Sequence, residues 1–247
     1  MNLRTSCGYF PCLRQIFLLF MLGLISQYSA SQYVSRIDLS EIPQRQVRNF
    51  IVSKSIDKMD DFSSIHASWK KEIDKSDFKT IEKTFILKYK LSDVWEFYRH
   101  TSSFRMWNGK SIGFGLLIAK HSKVITYAKS LNCPEVDTGQ VYFLNIRLLK
   151  GIFNIPVAFE IINIDQLRRI VEFSYIENNK STGKQTIQFF DNGDGRTRIV
   201  HSSFFKSESA FRDKLLYPYF HKKFIKEFHA NMLRLINNQV DSAIALK

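Results

Sequence analysis

The stretch YPYFHKKFIKEFHANMLRLIN, residues 217–237, decides the architecture. At about 100° per residue, Tyr217, Phe220, Phe224, Ile225, Phe228, Met232, Leu235 and Ile236 fall on one arc a little under half of a helix circumference. Lys222, Lys223, Lys226 and Arg234 fall on the other side. So broad and aromatic a stripe needs an apolar surface wider than a second helix offers, and a sheet supplies one. His221 projects near the centre of the same arc, between Phe228 and Met232.

Upstream of that helix the chain reads as strands. Residues 79–89 alternate, with Ile81, Phe85, Leu87 and Tyr89 sharing a face with Lys83. Ser92 and Asp93 then read as capping residues for a helix bearing Val94, Trp95, Phe97 and Tyr98, followed by a shorter turn with Phe104, Met106 and Trp107. Asn108-Gly109, Gly113 and Gly115 read as breakers. Further strands are expected at 124–130, 140–149, 157–164, 168–176, 183–190 and 196–205. The links between them, such as Asp165-Gln166 and residues 191–195, are short and turn-forming, so neighbouring strands run antiparallel. The expected fold is α+β: a curved antiparallel sheet of six to seven strands wrapped on a long C-terminal helix, with two short helices after the first strand. Ahead of it, residues 32–77 read as a helical extension. One helix is expected at 41–53 with Ser40 as N-cap and Val47, Phe50 and Ile51 aligned; a second starts at Asp60 or Asp61 and carries Phe62, Ile65 and Trp69. The division is therefore 1–31, 32–77, a main domain at 78–240, and a tail at 241–247.

The helix start Ser92-Asp93-Val94-Trp95-Glu96-Phe97-Tyr98, with Trp107 a dozen residues on, resembles the first helices of the helix-grip superfamily. That group includes polyketide cyclase and dehydrase-like proteins, steroidogenic-acute-regulatory-type lipid transfer domains and the major birch pollen allergen. The Gly193-Asp194-Gly195-Arg196-Thr197-Arg198-Ile199-Val200 turn and strand, and the closing helix, are similar too. The resemblance covers about residues 78–237. It implies an apolar cavity between helix and sheet for lipids, sterols, polyketides or aromatic molecules, sometimes with catalysis inside. A targeting segment and a two-helix arm depart from the superfamily's commonest cytosolic pattern.

Composition bounds the rest. Aromatic residues make up 14% of the 247, with 22 Phe and 10 Tyr, enough either to fill a core or to wall a ligand site. Arg4 and Arg14 flank a polar start, residues 16–25 are an apolar run, and Ser29-Ala30-Ser31 offers small residues for cleavage, so export to a periplasm or the exterior is expected. An uncleaved anchor is the alternative. Loss of Cys7 and Cys12 with that segment leaves Cys133 alone and no intramolecular disulfide. The full chain carries a formal charge of +13. Such a charge suits anionic membranes or envelope polymers, whereas the Lys and Arg lack the interleaving of a nucleic-acid motif.

The candidate site residues follow from these faces. Tyr217, Phe220, Phe224, Phe228, Met232 and Ile199 are expected to wall a cavity, with His221 and His201 as its polar groups. His201 shares a strand face with Thr197, Ile199, Ser203 and Phe205; alternation leaves open whether that face or the one with Val200 and Phe204 points inward. Glu160 and Glu172 are acid or base candidates if their strand faces are interior. Arg212 and Asp213, ahead of Pro218, stand near a cavity mouth. No paired-cysteine, His-Glu-x-x-His, Walker or Gly-x-Ser-x-Gly motif occurs, and no metal or cofactor is implied. His221 and His229 project about 80° apart, a poor geometry for joint metal binding. Three functions fit: binding or transfer of a hydrophobic ligand; a cyclase or dehydratase-like enzyme with His221 or His201 moving protons beside Glu160 or Glu172; and an envelope interaction protein with a filled core and a basic surface. No pattern sets an oligomeric state.

Overall fold

The computed structural model describes residues 36–70, 72, 74, 76–130, 134–179, 181–207, 209, 214 and 217–245, with side-chain surroundings up to residue 239. The segment 1–31, Cys133, Arg212 and Asp213 lie outside the described residues. Strands β1 (Lys79–Leu87), β2 (Ile112–Ala119), β3 (Val124–Tyr127), β4 (Gln140–Leu148), β5 (Phe153–Asp165), β6 (Ile170–Tyr175), β7 (Ser181–Asp191) and β8 (Thr197–Ser207) form one sheet ordered β1-β8-β7-β6-β5-β4-β2-β3. Every pairing is antiparallel. Helix α1 (Arg45–Ser53) precedes the sheet, α2 (Leu91–His100) and α3 (Ser103–Met106) follow β1, and α4 (Tyr217–Ala245) closes the chain. This is the α+β helix-grip arrangement with eight strands, the one beyond the expected seven being β2; β3 forms the edge next to it.

The inner face of the sheet is set by alternation. Thr197, Ile199, His201, Ser203 and Phe205 of β8 are buried, and the register sets Ile81 of β1 beside Ser203 and Phe85 beside Ile199. Helix α4 lays Ile225, Phe228, Met232, Leu235 and Ile236 against this face, all buried. Trp95, Tyr98, Phe114, Tyr142, Phe159, Phe173 and Phe189 complete one continuous inner core. At 29 residues α4 is about 43 Å long and runs past residue 237, where the apolar arc ends.

The outer face is covered as well. Val47 and Ile51 of α1 pack with Ile42, Phe62 and Ile65 onto Leu116, Ile118, Val141, Phe143 and Ala158, forming a second core. The N-terminal extension is thus the third layer, and β2 and β4 lie between two apolar cores.

Four sequence expectations change here. Strand β2 was hidden by Gly113 and Gly115, which are not breakers. A Cβ on Gly115 would stand 2.8 Å from both Phe143 O and Val47 Cγ1, so glycine is what lets β2 pass under α1. A bulge between Phe114 and Leu116 turns Phe114 and Leu117 inward, and Leu116 and Ile118 outward. Helix α1 starts at Arg45, not near Glu41, because Pro43 holds Ile42 extended (φ −93°, ψ 111°). Its predicted cap, Ser40, is itself capped: Asp38 accepts from Ser40 N in a preceding 3-10 turn. No helix follows Asp61; a single 3-10 turn, Phe62–Ser64, gives way to extended chain that pairs Ala67 with Ile176. Ser92 and Asp93 sit inside the first turn of α2, and its N-cap is Lys90.

Candidate functional site

Helix and strand periodicity bring six polar side chains together inside the inner core. His201 and Ser203 stand two apart on β8 and so share its inward face. On α4, His221 and His229 are two turns apart and reach down to the same strand. His229 Nε2 lies 3.0 Å from His201 Nδ1, and Tyr98 Oη of α2 lies 2.9 Å from His229 Nδ1. Beyond His201, Nε2 is 3.1 Å from Gln185 Oε1 of β7. Ser203 Oγ stands 3.3 Å from that same oxygen and 2.6 Å from His221 Nε2.

The proton positions follow from Gln185, whose carbonyl oxygen only accepts. His201 Nε2–H and Ser203 Oγ–H donate to it. His201 Nδ1 is then an acceptor for His229 Nε2–H, His229 Nδ1 accepts from Tyr98 O–H, and Ser203 Oγ accepts from His221 Nε2–H. One proton per group satisfies the whole chain with all three imidazoles neutral. Burial enforces that state. It lowers His221 and His229 to about 3, and it lowers His201 well below its usual value, with the neighbouring imidazoles adding to the effect. The Tyr98 hydroxyl is raised far above its usual value by burial.

Around the polar chain the space between α4 and the sheet is packed with rings. Trp107 stacks on Phe228 at 4.3 Å between centroids, and Tyr142 stacks on Phe159 at 5.1 Å. Phe173 lies 4.9 Å from Phe159 and 5.9 Å from the His201 ring. At the N-terminal end of α4, Tyr217 stacks on Phe205 at 3.7 Å and on His221 at 4.8 Å, and its hydroxyl bonds that of Tyr175.

Directly outside that end lies a cleft of about 380 Å³ between edge strand β1 and the start of α4. Ile81 and Phe205 lie beneath it, both buried, with the Tyr217 ring stacked on Phe205. Lys79, Lys214 and Lys222 surround it, with Thr80, Glu82 and Pro218 completing the lining. A second cleft, about 330 Å³, lies at the opposite end of the sheet and mixes Arg99 and His121 with Glu135 and Asp137.

The structure brings His201 and His221 into one network and settles the open choice of face on β8 in favour of His201. Ile199, Phe228 and Met232 are core; Tyr217, Phe220 and Phe224 are half-buried at the helix start. None of these eight lines either cleft. Glu160 is corrected: Phe159 and Ile161 face the inner core, so Glu160 points the other way, under the N-terminal layer, where its Oε1 pairs with Lys120 at 2.5 Å. It is buried there with Oε2 lacking a partner. Glu172 also faces outward, bonded to Lys184, Asn163 and Thr186. Both carboxylates are therefore across the sheet from the histidines. Tyr98, Gln185, Ser203 and His229 were missed as network members, and Lys79, Ile81 and Phe205 as cleft residues. Among the described residues no three His, Cys, Asp or Glu side chains gather to hold a metal.

No family model matches the chain, and no curated protein does. Among solved structures it is similar to norcoclaurine synthase of Thalictrum flavum: 14% identity, TM-score 0.49, 66% of this chain and 96% of that one covered. A major latex-like protein of Panax ginseng is 12% identical with TM-score 0.47, covering 64% and 96%. The ZhuI aromatase/cyclase of a Streptomyces species is 12% identical with TM-score 0.43, covering 68% and 96%. The helix-grip fold itself rests on the element order and strand registers: β1, two short helices, a run of antiparallel strands, and α4 laid across their inner face.

Proposed function

We propose that the protein binds an anionic amphiphile in the cleft between β1 and α4. The observation that carries this reading is a rim of three lysines, Lys79, Lys214 and Lys222, around a recess of about 380 Å³ that lies beside Pro218 and over the buried Ile81 and Phe205. Small-molecule sites span roughly 300–1,000 Å³ and combine apolar walls with a few polar groups. The acyl or ring portion lies against Pro218 and the lysine methylenes and reaches Phe205 when Tyr217 moves aside; its anionic end meets Lys79, Lys214 and Lys222. A longer ligand enters inward by moving Tyr217, which closes the way to His221 and Ser203. With the targeting expected from residues 1–31, such a ligand is met outside the cytoplasm.

Cyclase or dehydratase chemistry is the weaker reading. A general base works best with a pKa near the working pH, and an imidazole held near 3 falls far short. His201 and His221 are already committed to protein partners.

Native mass spectrometry of the full chain, incubated with palmitate, lysophosphatidylglycerol or cholesterol, tests the proposal. A single adduct with either anionic amphiphile, weakened by Lys222→Glu, is expected. Uptake of cholesterol in preference to both anions, or of none of the three, overturns it.

A further inference from the structure

Among the described residues large apolar side chains are exposed at ten positions, and five of them lie at one end of the sheet: Leu149, Ile152, Phe153, Ile155 and Tyr219, from 39% to 76% exposed. The strand registers define that end. Tyr175, the last residue of β6, pairs with Phe159, so the β4–β5 hairpin runs beyond it by residues 153–158, about 20 Å at 3.3 Å per residue. The first residue of β1 pairs with Phe205 near the end of β8, and Ser181 of β7 pairs with Ser207, which sets the start of α4 at the same end.

The hairpin does not show the pattern of a solvent-exposed ribbon. Along its inward-facing positions, Phe159, Val157, Ile155 and Phe153 are all apolar, so the core continues outward instead of ending in polar residues. Its turn takes three successive left-handed residues, Leu149 (φ 46°), Lys150 (φ 60°) and Gly151 (φ 94°). Non-glycine residues avoid that region, and here it leaves Leu149, Ile152 and Phe153 at the tip.

The charged residues of the hairpin itself are all basic. No acidic residue occurs between Asp137 and Glu160, while Arg147 and Lys150 do. Lys110 lies alongside, its carbonyl oxygen accepting from Arg147 Nη1. Lys222, Lys223 and Lys226 follow Tyr219 on α4. Acids elsewhere at this end have partners of their own: Glu227 accepts from Ser111 N, Asp74 from Ser76, Glu177 pairs with Lys70, and Asp77 pairs with Lys206; Glu82 sits on the cleft rim among the lysines.

We infer that the β4–β5 hairpin, with the first turn of α4, is a docking surface for an anionic lipid bilayer. Leu149, Ile152 and Phe153 enter the headgroup region, as interfacial apolar anchors do; Lys150, Lys110 and Lys222 meet the lipid phosphates. The inference stands on the exposed apolar hairpin and its basic surroundings, and it holds whether or not the cleft takes an amphiphile.

Flotation of the full chain with phosphatidylcholine vesicles, with and without phosphatidylglycerol, tests it. Binding to the anionic vesicles is expected, weakening as salt rises. The double variant Ile152→Ser/Phe153→Ser lowers it by at least about tenfold, since each side chain then loses its apolar burial. Lys150→Glu weakens it only on the anionic vesicles. Phe153→Trp gains emission that brominated lipids quench, beyond the quenching of the parent chain. Three results overturn the inference: no vesicle binding, binding that the hairpin variants leave unchanged, or a dimer that the double variant converts to monomer while vesicle binding persists. The last would make the hairpin an interface between two copies.

Discussion

His221, Ser203, Gln185, His201, His229 and Tyr98 form a chain in which every proton has one place to be. A buried polar network of this kind is stable only when complete, because each unsatisfied member carries its own desolvation cost. Its pH dependence follows from the neutral imidazoles. The folded protein keeps His221 and His229 uncharged down to about 3 and His201 uncharged well below its ordinary value, whereas in the unfolded chain all three take up protons below about 6.5. The folded pKa values are depressed, so this stability is complete above about pH 6.5 and is lost as pH falls from there toward 3, at about 1.4 kcal/mol per pH unit for each histidine. Denaturant melts should therefore agree between pH 7 and 8 and show a steep, multi-proton decline between pH 6 and 4. His221→Gln should make that decline shallower by one proton. A flat profile to pH 4 would contradict the neutral network. The placement of His221 was legible from the helical arc, whereas alternation put His201 on a face with Thr197, Ile199, Ser203 and Phe205 without saying whether that face points inward. That of His229 and Tyr98 was not, because it depends on how far along β8 the helix sits, and no periodicity in one element encodes its register on another.

Among the elements, β2 taught most. Its sequence, IGFGLLIA, has no alternation to read because both faces are buried, one in the inner core beside Phe104 of α3 and the other under α1. Two glycines in a strand without alternation read as a break, whereas here Gly115 is the point of closest approach between α1 and the sheet. The added methyl of Gly115→Ala has nowhere to go, with Phe143 O and Val47 Cγ1 each 2.8 Å from its position. A loss of about 1–3 kcal/mol in unfolding free energy is expected; an unchanged melt would contradict the close packing of the N-terminal layer. By contrast, β1 and β4 to β8 were legible within a few residues, since alternation and turn residues mark hairpins well. The expected second helix near residues 60–69 failed for the opposite reason. Phe62, Ile65 and Trp69 do have helical spacing, yet the backbone at residues 66–68 finds better partners on the free end of β6: Ser68 N donates to Tyr175 O at 2.7 Å, and Glu177 N donates to His66 O at 2.8 Å.

At the scale of the whole molecule the two ends of the sheet differ. One end carries the lysine-rimmed cleft, the start of α4 and the apolar hairpin; the other carries a cleft of mixed charge. The lysines at that end are thus paired with exposed apolar surface, the combination that suits amphiphiles and lipid surfaces. Sequence patterning located the helix and sheet that frame this end but expected the ligand deeper, between them, where stacked rings now stand. Aromatic richness alone does not distinguish a wall from a filling, since that depends on whether rings from the end of α3, from β5 and from α4 meet, as those of Trp107 just after α3, Phe159 and Phe228 do. The central claim is that the cleft beside β1 is the binding site. Calorimetric titration of palmitate into the full chain and into Thr80→Trp, which puts a bulky ring at an exposed lining position of the cleft, tests it most directly. Saturation at one palmitate per chain, with affinity lowered at least tenfold by Thr80→Trp while the melting temperature holds, is the predicted result. Equal binding by both chains, or no binding by either, would contradict it.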